Sequence, residues 1–171
     1  MKNFCLVPFL CAISIIAFAA PAQAQSVLTT HRLSAPLASE AAAAAVASCA
    51  TKGYKVTASI IDTDGVVQVM LRGDGASMTT PGAARDKAYT AMMLGAPRGE
   101  NSSAEVAKRM GGNASPGGLA KLPHILLLPG ALVIRSGGEA IAAIGVGGAP
   151  GGDLDEACAR AGLDKIADRL K

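Results

Sequence analysis

After a long apolar stretch at its start, the chain breaks into short segments whose apolar positions recur with either helical or strand spacing. Ser34 to Lys52 is helical in pattern. Leu37, Ala41, Ala45 and Cys49 share one face, Ser34 is placed to cap the start, Pro36 fits the first turn, and Lys52-Gly53 supplies the stop. Two β-branched runs follow, Lys55 to Ile61 and Val66 to Arg72, around Asp62-Thr63-Asp64-Gly65. This predicts a hairpin; the Asp-x-Asp-Gly spacing is a turn and not a calcium loop, because the later ligands such a loop needs are absent. Thr79 or Thr80 with Pro81 opens a second helix running to about Leu94 and ended by Gly95 and Pro97. Its narrow face of Ala84, Ala88, Ala91 and Met92 suits close approach to a sheet.

Ser102 to Met110 has the pattern of a short helix, and Gly111 to Gly118 the composition of a loop. Ile125 to Leu128, Ala131 to Arg135 and Glu139 to Val146 predict three short strands, with turns at Pro129-Gly130 and Ser136-Gly137-Gly138. Asp153 to Leu170 predicts a last helix with a capping box from Asp153 to Glu156. The order is α-β-β-α-(α)-β-β-β-α. Short hairpin connections make neighbouring strands antiparallel, so the class is α/β in the α+β sense, with helices flanking the sheet.

The first segment changes the picture of where the chain works. Lys2 precedes an apolar run from Phe4 to Ala20, Pro21 breaks it, and Ala22-Gln23-Ala24 has the small-x-small pattern of a leader cleavage site. Residues 1–24 therefore predict a signal peptide, a periplasmic or secreted product without a stable membrane anchor, and a single domain over residues 25–171. Removal of 24 of the 171 residues leaves 147, enough for one hydrophobic core. Loss of Lys2 lowers the formal charge from +3 to +2, and the remainder has no Trp, no Phe and two Tyr. A weakly charged chain with so few stacking rings excludes nucleic acid as a partner.

Cys49 and Cys158 are the two cysteines outside the leader. One sits late in the first helix and the other early in the last. If those helices pack on one sheet face, the thiols come within bonding distance, and an oxidising compartment favours a disulfide. Without a Cys-x-x-Cys pattern or a nearby histidine, a catalytic thiol is disfavoured.

Four other patterns bear on chemistry. Gly145-Val-Gly-Gly-Ala-Pro-Gly-Gly lies between a strand and a helix, as a dinucleotide loop does. The chain ends with that helix, acidic residues occupy the helix start, and Pro150 removes a donor, so these are turn glycines. His31 and His124 are the two histidines, and no triad or metal site assembles around them. His124, at a strand entrance, is a candidate axial ligand for haem iron. Finally, Leu71 to Met93 gathers Arg72, Asp74, Arg85 and Lys87 with hydroxyls between a strand end and a helix start, where ligand sites form.

Arg72-Gly-Asp-Gly-Ala, Ala84-x-x-Lys87-Ala88-x-Thr90-Ala91, Leu128-Pro-Gly-Ala-Leu-Val-Ile, Gly138-Glu139 and Gly145-Val-Gly-Gly-Ala-Pro-Gly-Gly-Asp153 occur in this order. Together they resemble the GlcG/HbpS-like family, whose members include haem-binding extracellular proteins, glycolate-operon proteins and the C-terminal domain of PduO-type proteins. The resemblance covers about Leu33 to Leu170. It implies a profilin-like three-layer α/β/α fold with a five-stranded antiparallel sheet, a homo-oligomer, and haem or another small ligand. Arg72, Asp74, Arg85 and Lys87 carry over as ligand-binding candidates, Asp74 and Lys87 matching best. The chain departs from relatives at Ala131, where Pro-Gly-Gly is common.

Three functions compete. A haem-binding protein would place propionates on Arg72, Arg85 or Lys87 and take an axial donor from His124, Tyr89, Tyr54 or a Met, although the scarcity of rings weighs against it. An accessory protein or enzyme for a small organic acid would use Asp74 as a base and Lys87 or Arg85 as a carboxylate clamp. A non-catalytic oligomeric module would use the small-residue helix face. Export and the resemblance favour haem binding over catalysis. The site expectation requires Asp74 and Lys87 to stand together at the rim of the sheet.

Overall fold

A computed structural model describes residues 28–111 and 118–171. The leader and its cleavage site, and all of the Gly111 to Gly118 loop but its two ends, lie outside the described residues. Met1–Thr30 and His31–Lys171 are separate units. The described residues of the first, 28–30, have no regular structure.

In the second unit, α1 spans Ala35–Ala50, β1 Thr57–Ile61, β2 Val67–Arg72, α2 Thr80–Thr90, α3 Ser103–Gly111, β3 Ala131–Ser136, β4 Glu139–Gly147 and α4 Gly152–Ile166. Helix α2 runs on through a π-turn over Ala91–Gly95 and a 3-10 turn over Ala96–Arg98. The sheet is wholly antiparallel in the order β2-β1-β4-β3.

Strand alternation sorts the core into two halves. Ala58, Ile60, Ile134, Ala142 and Ile144 pack with Ala38, Ala41, Ala45 and Cys49 of α1 and with Cys158, Ala159 and Ile166 of α4. Ile61, Ala131, Val133 and Ala143 point the other way and pack with Ala88 of α2 and Ala91 and Met92 of the π-turn. The sheet thus lies between two helical layers. Closeness on the α2 side depends on Gly145: a Cβ there would run into the Ala84 carbonyl oxygen and sit 2.8 Å from Ala88 N. The late glycines serve helix packing.

On the other face α1 and α4 are joined by the Cys49–Cys158 disulfide, with Cα atoms 5.6 Å apart across a sequence separation of 109. Leu37, expected on the inner face of α1, is half-buried at its margin, and Ala38 and Ala42 take its place in the core.

Three further expectations fail. The sheet has four strands, not five, among the described residues. Ile125 to Leu128 forms no ladder: Leu126 N donates to Thr90 Oγ1 at 2.8 Å, Leu128 N to Leu126 O, and Ile125 N to Leu122 O. With donors engaged by α2 and by local turns, and with Pro129 lacking one, residues 119–128 form a strap that meets α2 at His124 and Leu126. The capping box at Asp153 is also absent. The cap residue of α4 is Gly151, with no side-chain cap bond, because Glu156 reaches Gly130 N and Asp155 reaches Ala149 N.

Candidate functional site

The charged residues singled out in the sequence fall in three places. Arg72, on the outer strand β2, donates through Nε and an Nη nitrogen to the Ala76 carbonyl and so closes the 73–76 turn. Asp74, in that turn, is exposed and lines a concavity of about 280 Å3 with Val46, Ala50, Tyr54 and Lys55. Lys87 is 4 % exposed, and its Nζ donates to Asp155 Oδ2 at 2.6 Å. Asp155 also accepts from Ala149 N at 2.9 Å. Gly130, at φ +130°, brings its backbone against the lysine: a Cβ there would lie 2.8 Å from Lys87 Nζ. Lys87 is thus committed to a buried ion pair that ties α2 to the start of α4. Asp74 and Lys87 have different neighbours, and the structure does not join them in one site.

The third place is the outer face of α2. Arg85 Nε donates to Asp86 Oδ1 at 2.8 Å, and the same oxygen lies 3.3 Å from His124 Nδ1 on the strap. His124 meets Tyr89 edge to face, with ring centroids 5.7 Å apart. Its side chain is 47 % exposed, and its backbone is left-handed at φ 67°, which is uncommon for a residue other than glycine. The Asp86 carboxylate faces Nδ1 at ion-pair distance without hydrogen-bond geometry, and a neutral ring protonated at Nδ1 would carry its lone pair on Nε2. Among the described residues Nε2 has no hydrogen-bond partner. A carboxylate behind one ring nitrogen and a free lone pair on the other is how metal-binding imidazoles are oriented.

The segment that carries His124 also has exposed apolar side chains that the ring count did not reveal. Leu119, Leu122 and Leu128 of the strap are 44 %, 50 % and 50 % exposed, and Ile125, Leu126 and Leu127 are half-buried. An imidazole, the tyrosine beside it, the half-exposed guanidinium of Arg85 and apolar side chains on the same segment are residue types that suit haem. Asp86 was not singled out in the sequence, although it lies in the stretch that carried Arg85 and Lys87. Its partner is distant in sequence, and no local spacing announces the pair.

Glu156 has its pKa raised, chiefly because burial disfavours its charged form; the Gly130 N–H opposes this. Among the described residues, no group of three or more His, Cys, Asp or Glu is arranged to hold a metal ion. No helix of these residues is long and apolar enough to cross a membrane.

The class this arrangement belongs to is settled by comparison. Residues 33–164 match the family described as haem degrading protein HbpS-like, and the chain belongs to that family. No curated protein matches the sequence. Among solved structures, a double mutant of Streptomyces reticuli HbpS is 36% identical, covering 85% of this chain and 96% of its own, with a TM-score of 0.73. Klebsiella pneumoniae ORFY shares the fold at 21% identity and TM-score 0.74, covering 84% of this chain and 96% of its own. So does a PduOC–haem complex at 22% and 0.70, covering 79% and 95%. Haem is therefore a cofactor that relatives of this chain handle.

Proposed function

We propose that this chain is an exported haem-binding protein whose iron ligand is His124 Nε2. The observation that carries the reading is the Asp86–His124 contact, which sets a carboxylate against Nδ1 of a half-exposed imidazole whose Nε2 has no hydrogen-bond partner among the described residues. Leu122 and Tyr89 border the donor, and Arg85 supplies a cation for a propionate. Bound haem would bring redox-active iron to this surface; His124 would hold the iron and Arg85 would pair with a propionate. Export rests on the leader pattern of residues 1–24. Self-association is part of the same reading: β2 is a sheet edge whose Val67, Met70 and Leu71 are 37–40 % exposed, a surface that a second copy would cover.

The test is a titration of the purified protein with hemin, followed in the Soret region. Saturation at one haem per chain is expected, with affinity at least about tenfold weaker in His124→Ala, the loss of one coordinate bond. Absence of any Soret change in the unaltered protein overturns the proposal.

A further inference from the structure

A second concavity opens beyond α2, outside the haem surface proposed above. It measures about 350 Å3 and is lined by Thr63, Met92, Met93, Ala96, Pro97, Arg135 and Ala140. The wall is apolar apart from the Thr63 hydroxyl and Arg135. Its floor is the π-turn of Ala91–Gly95, a wide turn of a kind found at functional sites.

Arg135 is the feature that asks for a ligand. Its Nε donates to Asn101 Oδ1 at 3.0 Å and one Nη to Gly138 O at 3.1 Å, while the other Nη reaches Ala96 O at 3.5 Å and Glu100 O at 3.3 Å. All four acceptors are uncharged. The nearby Glu100 carboxylate is taken by Arg109, which holds it through two nitrogens at 2.6 and 3.0 Å. Asp62 and Asp64, on either side of Thr63, are paired with Arg32. Arg135 is thus half-buried and fixed in place, and among the described residues no carboxylate pairs with it. Four of its five N–H groups are used, which leaves one.

We infer that this concavity binds a small apolar monocarboxylate, its tail against Met92, Met93, Pro97 and Ala140 and its carboxylate on Arg135. The site needs no haem, and its test contains none, so it stands or falls apart from the haem reading. A charge-assisted bond in a half-buried setting is stronger than a neutral one, so the acid should be preferred over its alcohol.

The probes are hexanoate and hexanol, titrated into the 15N-labelled full chain and read by backbone amide shifts. Saturable shifts confined to residues around Thr63, Met93, Ala96 and Ala140 are expected, with hexanoate at least about tenfold tighter than hexanol. Arg135→Gln should bring hexanoate down to the affinity of the alcohol. Ala140→Leu, which narrows the concavity beside Arg135 and leaves the arginine's hydrogen-bond acceptors in place, should weaken both. Hexanoate shifts that do not saturate, equal affinity for the two probes, or binding unchanged in Ala140→Leu would each overturn the inference.

Discussion

Replacing Lys87 by Met separates a structural lysine from a ligand-binding one. In the variant, Asp155 stays 3 % exposed at its side chain and keeps a single donor, Ala149 N at 2.9 Å. Breaking a buried pair from one side costs about 3–5 kcal/mol, because the remaining charge is buried without its counter-charge. Asp155→Leu alone should cost a similar amount, since it strands the Lys87 ammonium. Combining Lys87→Met with Asp155→Leu removes both charges and strands only the Ala149 N–H, a loss of about 1–3 kcal/mol. The double variant should therefore be more stable than either single one, with a coupling of at least about 3 kcal/mol. Urea unfolding of the four proteins, under oxidising conditions, measures it. Hemin affinity well below the melting temperature should not change, since Lys87 lies on the inner side of α2. A Lys87→Met cost under about 1 kcal/mol, or additive effects, would refute the buried-pair reasoning.

Three further outcomes follow from the same packing. Replacing Cys49 and Cys158 together by Ala frees a loop spanning a separation of 109 residues and should cost about 4–5 kcal/mol in the chain-entropy account; a loss below about 1 in urea unfolding would contradict it. Gly145→Ala should destabilise by about 2–3 kcal/mol, as α2 must lift off the sheet, and thermal unfolding reads the cost. Glu156 binds its proton more tightly folded than unfolded, so its contribution is present below the unfolded pKa and lost as pH rises through the folded one. Glu156→Gln should accordingly raise the melting temperature at pH 7 relative to the unaltered protein, and the gain should vanish near pH 4; an equal gain at both pH values would count against burial as the cause.

The sheet was legible where local chemistry repeats. β-branched runs on both sides of Asp62-Thr63-Asp64-Gly65 set the β1–β2 hairpin, and the small-residue face of Ala84, Ala88 and Ala91 marked the helix that sits close, whereas Gly145, read as a turn glycine, lies in β4 and makes that closeness possible. Ile125 to Leu128 misled because four apolar residues in a row suit a strand and a strap equally; the Thr90 hydroxyl that captures Leu126 N is 36 residues away. The site suffered from a geometric rule. Arg85 and Lys87 are two apart, and on a helix such residues point to different sides, so one ends on the surface and the other in the core. A cluster in sequence became three separate places in space. The Asp86–His124 contact spans 38 positions and depends on a left-handed backbone at His124, neither of which a single sequence announces.

The identity of the iron ligand is tested most directly by chemical rescue. In His124→Gly the side chain is removed while Asp86, Tyr89 and the strap leucines stay, so added imidazole can fill the gap. Ferric haem on the unaltered protein should show the absorption and magnetic resonance signature of nitrogen ligation, His124→Gly should lose it, and imidazole should restore it. A signature that survives in His124→Gly without imidazole would show that another residue holds the iron.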